Sequence, residues 1–117
     1  MTDRELLEYS AKAAGINIKW TLTRLWDGSV DEVPDIIPRL TTFEQPVWNP
    51  LTDDGDALRL AVKLKMPIEY TSDKPFGPDR TAIKNGYGVV EDHISDPYAA
   101  TRRAIVRAAA EIGKTMQ

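Results

Sequence analysis

The sequence contains no cysteine. Disulfides, thiolate nucleophiles and cysteine–zinc sites are excluded together. Histidine occurs once, as His93, so no histidine cluster is available to hold a transition metal. The chain also lacks a Gly-x-Ser-x-Gly elbow, a Gly-x-x-x-x-Gly-Lys-Ser/Thr phosphate loop and a Gly-x-Gly-x-x-Gly fingerprint. Gly86-Tyr87-Gly88 reads as part of a hairpin, not as a nucleotide loop. Charge of one sign is scarce too. The 15 basic and 18 acidic side chains leave a net charge of −3, without the basic excess of a nucleic-acid binder or the strong acidity of a DNA mimic. No apolar run is long enough to span a bilayer. Met1 to Glu8 has no basic n-region followed by an apolar stretch, so no signal peptide is expected. Internal repeats and low-complexity segments are missing as well. These absences lower the expectation of an enzyme and leave one built on carboxylates as the remaining route.

What is present suits one globular domain spanning residues 1–117. The chain is 42% hydrophobic and 28% charged, ordinary proportions for such a domain, and it is long enough to bury a core without a staple. Thr2 and Glu5 have capping-box spacing. With Leu6, Leu7, Ala11, Ala13 and Ala14 on one side and Gly15 as C′ residue, they predict a first helix over 3–14. Ile16, Ile18, Trp20 and Leu22 alternate with polar residues and predict an extended segment. Residues 28–47 carry Pro34, Pro38 and Pro46 and read as a long loop. Asn49-Pro50 starts a helical turn. Asp53 or Asp54 caps a second helix, whose wide apolar arc (Ala57, Leu58, Leu60, Ala61, Val62, Leu64) predicts extensive burial. Pro67 stops it.

Ile68–Ser72, Thr81–Lys84 and Tyr87–Glu91 read as strands, the last two joined by a tight Asn85-Gly86 turn. Asp96-Pro97 opens a third helix with an alanine-rich face, ended by Gly113. The fold class is therefore α+β. A small, mainly antiparallel sheet of three or four strands is expected, the fourth being an edge strand from residues 16–22, covered by three helices. The predicted core includes Leu7, Ile18, Trp48, Leu58, Ala61, Val62, Ile68, Ile83, Val89, Ala104, Ile105 and Ala108.

Few residues invite chemistry. Asp53, Asp54 and Asp56 are weak candidates for a divalent cation, against helix capping and dipole complementarity, which explain them more simply. Trp26 and Trp48, with Trp20, are candidate stacking surfaces for a base. For Trp48 a place in the core is the stronger reading. Arg102, Arg103 and Arg107 form a positive stripe suited to phosphate or an acidic partner, or else a solvated helix face. His93 is assigned no role, and no cofactor is implied.

The run Val47-Trp48-Asn49-Pro50, through Asp53-Asp54-Gly55-Asp56-Ala57 into Leu58-Arg59-Leu60-Ala61-Val62-Lys63-Leu64, resembles the phage α-β-α sandwich family. NinX-like accessory proteins of lambdoid phages belong to it. Asp96-Pro97-Tyr98-Ala99-Ala100-Thr101-Arg102-Arg103-Ala104-Ile105 and the opening Leu6-Leu7-Glu8 through Ala11-Lys12-Ala13-Ala14-Gly15 also match its pattern. The similarity covers residues 2–20, 47–66 and 95–114. The resemblance implies a phage accessory protein in the host bacterial cytoplasm, acting without catalysis on a host protein, most plausibly a component of an anti-phage defence system. Membrane and nucleic-acid partners are not expected. The alternative is a binder of a small anionic nucleotide signal, served by Arg102, Arg103 and the tryptophans. A metal-dependent hydrolase using the Asp53–Asp56 cluster ranks third.

Overall fold

The computed structural model describes residues 1–24, 27–37, 48–86 and 88–116. Its elements run α1 (Asp3–Ala14), β1 (Asn17–Arg24), β2 (Val30–Ile37), α2 (Asp54–Lys63), β3 (Ile68–Ser72), β4 (Asp79–Ile83), β5 (Val89–Asp92) and α3 (Pro97–Thr115). The fold is α+β, with three helices and a three-stranded antiparallel sheet in the order β3-β4-β5. No helix among the described residues is long and apolar enough to cross a membrane.

Helix α3 is the hub and meets α1, α2, β4 and β5. Its central face is nearly all alanine. Ala104, Ala108, Ala109 and Ala110 are fully buried, and such small side chains let a neighbouring backbone come close. That neighbour is α1, which contributes Ser10, Ala11 and Ala14. At the tightest point Gly113 faces the backbone of Tyr9: a Cβ there would stand 2.7 Å from the Tyr9 carbonyl carbon and closer still to its oxygen. The sequence assigns Gly113 the end of the helix, but α3 runs on to Thr115. The residue is glycine because of the helix crossing.

Local signals place α1 correctly. The reciprocal Thr2–Glu5 capping box forms, and Gly15 adopts the left-handed conformation at φ 70°. The extended segment after it does not join the main sheet. β1 pairs with β2 in a separate antiparallel hairpin, Trp20 opposite Pro34, so residues 30–37 are a strand and not part of a loop. Pro34 is tolerated because its backbone faces away from β1: its carbonyl accepts from Trp48 N–H at 2.8 Å, so the missing N–H breaks no ladder bond. Residues 38–47 lie outside the described residues. The hairpin leans on α1, where Glu8 accepts from Trp20 Nε1 at 3.0 Å and the Arg4 guanidinium stacks 4.2 Å from the Trp20 ring centre.

Strand β3 falls where the sequence places it, while β4 and β5 are shifted by one or two residues. Ile83 pairs with Val89, so a five-residue loop replaces the tight Asn85-Gly86 turn; the left-handed positions are Gly86 and Gly88, not Asn85. The sheet has one face of each kind. Thr81, Ile83 and Val89 point to α3 and are buried. Arg80 and Asp92, directly opposite each other, form an ion pair on the outer face at 2.8 Å.

The α2 expectation needs correction. Asp53 caps the helix, and Ala57, Leu60 and Ala61 are buried against the rest of the protein. Leu58 and Val62, assigned to the core by sequence, are 61% and 67% exposed. Periodicity reports that a position is apolar; among the described residues α2 finds a neighbour on one side only, so half of its wide arc is left open. The helix also ends before Pro67, at Lys63, and the chain turns through Lys65 at φ 53°.

Candidate functional site

The exposed Leu58 borders a cleft of about 760 Å³, within the range of ligand pockets. Its walls are the Leu58 side of α2, the first turns of α3 (Pro97, Tyr98, Thr101, Arg102 and Ile105) and β3 with the loop after it (Ile68, Tyr70, Thr71, Ser72 and Lys74). Asp79 and His93 close one end. The cleft exists because α3 covers β4 and β5 but leaves β3 bare. Tyr70 and Tyr98 stand at its rim, both about two-thirds exposed.

The β3 edge of this cleft has open hydrogen-bonding groups. Lys84 N–H donates to the Pro67 carbonyl, continuing the register in which Ile68 faces Ile83. Antiparallel bonding alternates. Glu69 and Thr71 therefore direct their backbone groups to β4, while Ile68, Tyr70 and Ser72 direct theirs outward. No described residue pairs with that outer edge. Thr71 lines the cleft together with its neighbours Tyr70 and Ser72, whose side chains point to the opposite face, so the cleft wraps around the strand edge.

Polar groups converge at the Asp79 end. Asp79 and His93 lie opposite each other on adjacent strands, His93 N–H donating to the Asp79 carbonyl at 2.7 Å. A hydrogen bond from Ser72 holds the Asp79 carboxyl below its ordinary value, with help from the charge of Lys74 and against the opposing effect of burial. Lys74 Nζ stands 3.4 Å from Oδ2, and Oδ1 is buried with no hydrogen-bond partner. His93 Nε2 lies 2.6 Å from Thr81 Oγ1, which lies 2.9 Å from Thr101 Oγ1. Asp79, His93 and Thr81 share the composition of a nucleophilic triad, but Thr81 is completely buried and no substrate reaches its hydroxyl. The arrangement cannot attack anything.

The sequence-selected residues are dispersed. Trp26 lies outside the described residues. Trp48 is in the core at 3% exposure and offers no stacking surface. The arginine stripe is split by ion pairing. Arg102 is nearly buried at the cleft wall, where it donates to the Leu51 carbonyl at 2.9 Å and to Asp54. Arg103 and Arg107 turn the other way and share Glu91, at 3.4 and 3.2 Å; Arg103 also reaches Asp3, and Arg107 the Val90 carbonyl. They line a smaller depression of about 340 Å³ with Glu91 and Glu111. The acidic cluster is spent on structure. Asp53 accepts from Asp56 N–H as the α2 cap, Asp54 holds Arg102, and Asp56 accepts from Asn49 N–H and pairs with Arg59. Among the described residues no group of acids or histidine is placed to hold a metal ion.

His93, Tyr70 and Tyr98 are the site residues that sequence reasoning missed. The only signal was a lone histidine next to a strand, and its partners Thr81 and Thr101 lie 12 and 20 residues from their bonding neighbours. No protein-family model, curated protein or solved structure matches this chain.

Proposed function

We propose that the protein acts by binding, without catalysis, and that its occupant is an extended segment of a partner protein laid along β3. The outer edge of β3, which no described residue pairs with and which runs beside an apolar cleft, carries this reading. An open strand edge is a template for another chain. Here the backbone groups of Ile68, Tyr70 and Ser72 supply the hydrogen bonds, while Leu58, Tyr70 and Tyr98 supply apolar contact. Exposed apolar surface grouped in this way marks an interaction site. The resemblance of residues 2–20, 47–66 and 95–114 to phage accessory proteins supports a host protein as partner, in the bacterial cytoplasm, with a defence component as the leading candidate.

Affinity capture from host cells carrying defence systems, with mass spectrometry, tests the reading when run on paired variants. Tyr70→Pro removes an outward N–H without touching the β4 ladder, and Leu58→Asp puts a charge on the cleft wall. Both lose the captured protein, whereas Val30→Asp, on the exposed hairpin, keeps it. Equal capture by all three, or an empty lane for the wild type, sinks the proposal. The nucleotide reading keeps one supporting observation, the presence of Arg102 in the cleft wall. Its guanidinium is already held by Asp54 and Leu51, and heat released on titration with cyclic nucleotides is the result that would favour it.

A further inference from the structure

We propose that His93 is a specificity-determining residue of the cleft, locked as the Nε2–H tautomer so that its free nitrogen accepts a hydrogen bond from whatever fills the site. The inference rests on the cleft being the binding surface. Hydrogen counting gives the polarity. Thr101 Oγ1 lies 2.8 Å from the Pro97 carbonyl, which has no proton to give, so Thr101 donates. A hydroxyl has one proton; Thr101 must then accept from Thr81 across their 2.9 Å contact. Thr81 has now used its own proton, so across the 2.6 Å contact it accepts from His93 Nε2. The chain runs one way, from imidazole to hydroxyl to hydroxyl to carbonyl.

A neutral imidazole protonated at Nε2 has a lone pair at Nδ1. That nitrogen has no hydrogen-bond partner among the described residues. The demand belongs to the neutral ring. Asp79, directly across the strand pair, has one oxygen unpartnered and interacts favourably with a charged His93, so adding a second proton to the ring turns Nδ1 into a donor and abolishes the acceptor. The nearby ammonium of Lys74 is engaged by Asp79. Tyr70 approaches the ring by its edge, with centroids 6.4 Å apart. Arg102 and Asp54, on the α3 and α2 walls, bind each other. The Asp79–His93 end of the cleft therefore asks for a hydrogen-bond donor, a hydroxyl or an amide N–H of the partner segment, and not for a carboxylate or phosphate. The polarity is opposite to that of a nucleophilic triad, in which the hydroxyl donates to the histidine.

With a single histidine in the chain, the test is free of assignment ambiguity. A long-range proton–nitrogen spectrum of the ¹⁵N-labelled protein at alkaline pH shows which ring nitrogen carries the proton. Nε2–H is expected, and Nδ1–H overturns the inference. Thr101→Val removes the acceptor at the middle of the chain and frees the Thr81 proton, so the Nε2–H population falls while the amide spectrum stays folded. Phenol and anisole are neutral, alike in shape and different by one O–H. Phenol is expected to shift the Nδ1 signal and anisole to leave it. Equal shifts, or none with phenol, overturn the selectivity. His93→Gln, which keeps a donor and an acceptor, and His93→Phe, which keeps neither, have no ring signal and are read through the backbone amide shifts of Tyr70, Thr71 and Ser72 on the cleft wall; the preference for phenol over anisole survives in His93→Gln and is lost in His93→Phe. Partner capture by the Leu58 and Tyr70 variants is read separately, so a failed tautomer leaves the binding surface standing, and a failed capture leaves the tautomer standing.

Discussion

Replacing Gly113 with alanine should unfold part of what holds the two terminal helices together. The added methyl points at the Tyr9 carbonyl, 2.7 Å from its carbon and nearer to its oxygen. An ordinary contact needs about 3.4 Å or more. The obstacle is backbone, so no rotamer change relieves it, and α1 must slide or lift off α3. Lifting it loosens the contacts of Ala104, Ala108, Ala109 and Ala11 at once, since these fully buried alanines have no length with which to follow. Forced methyl groups in packed cores cost about 1–3 kcal/mol, and a rigid clash across a helix crossing belongs at the top of that range. Alanine's better helix propensity returns about 1 kcal/mol. The net loss is about 2 kcal/mol, or roughly 5–10 °C in Tm for a domain of this size.

Gly55→Ala is the matched control. Its Cβ would meet only side-chain atoms, at 3.2 Å: the end of Arg59, which can move aside, and Asp53 Oδ2, the oxygen that caps α2, which has to give by only a few tenths of an ångström. The propensity gain of about 0.5–1 kcal/mol and a weakened cap roughly cancel, so the variant is expected within about 0.5 kcal/mol of the wild type. Urea melts of both variants decide the matter. If Gly113→Ala matches or exceeds the wild type in midpoint, the close helix crossing is wrong. If both variants fall together, the cause is not the clash.

Three further outcomes follow from the same geometry. Trp48→Ala empties a fully enclosed site beside the α2 turn and should cost about 3–5 kcal/mol, read as a collapse of the urea midpoint. Leu60→Ala should cost about 2–5 kcal/mol, whereas Leu58→Ala, two residues earlier on the open side of the helix, should stay within about 0.5 kcal/mol; equal losses would contradict the orientation of α2. Glu5 and Asp79 both titrate below their ordinary values in the folded state, Glu5 through its hydrogen bonds with Thr2 and Asp79 through Ser72. A depressed folded value means that the unfolded chain takes up protons first as pH falls. Their contribution is complete above the ordinary carboxylate range and is lost as pH drops through the depressed values. Ser72→Ala should therefore flatten the fall in stability between neutral and acid pH, and an unchanged slope would refute the assignment; Thr2→Ala should flatten it less, because the Thr2 backbone N–H, the larger cause of the Glu5 shift, still donates to Glu5.

The parts of the fold written in short-range chemistry were legible. Thr2, Glu5 and Gly15 bound α1, Asp53, one of the two acids offered as the cap, starts α2, Asp96-Pro97 starts α3, and the run Ile68–Ser72 gives β3. Each is decided by neighbours within a few residues. What depends on distant partners was not legible. Pro34 looked like a breaker until Trp48 was seen on its outer side. Leu58 and Val62 are as apolar as any core residue, and nothing in the periodicity reveals that no described element lies over them. Gly113 carries a helix-ending signal and a close-approach signal in the same letter. The arginines were visible as charges but not as two separate ion-pair groups, because Glu91, Asp3 and Asp54 come from three different elements. The cleft is a property of the flank of β3 that no described residue covers, which no local pattern encodes.

The pairing of α1 with α3 has a consequence for the order in which this chain can fold. The two helices that share the tightest interface are separated by about eighty residues, and closing such a loop costs entropy before any contact rewards it. As synthesis proceeds from the amino end, α1 emerges with Leu6, Leu7, Ser10, Ala11 and Ala14 ready for a surface that does not yet exist. The three-stranded sheet is in the same position, since its inner face is covered by the same last helix. Everything central to the protein waits for α3, so a chain released before residue 97 should have secondary structure without a core. A cellular quality-control system would meet that intermediate at every round of translation.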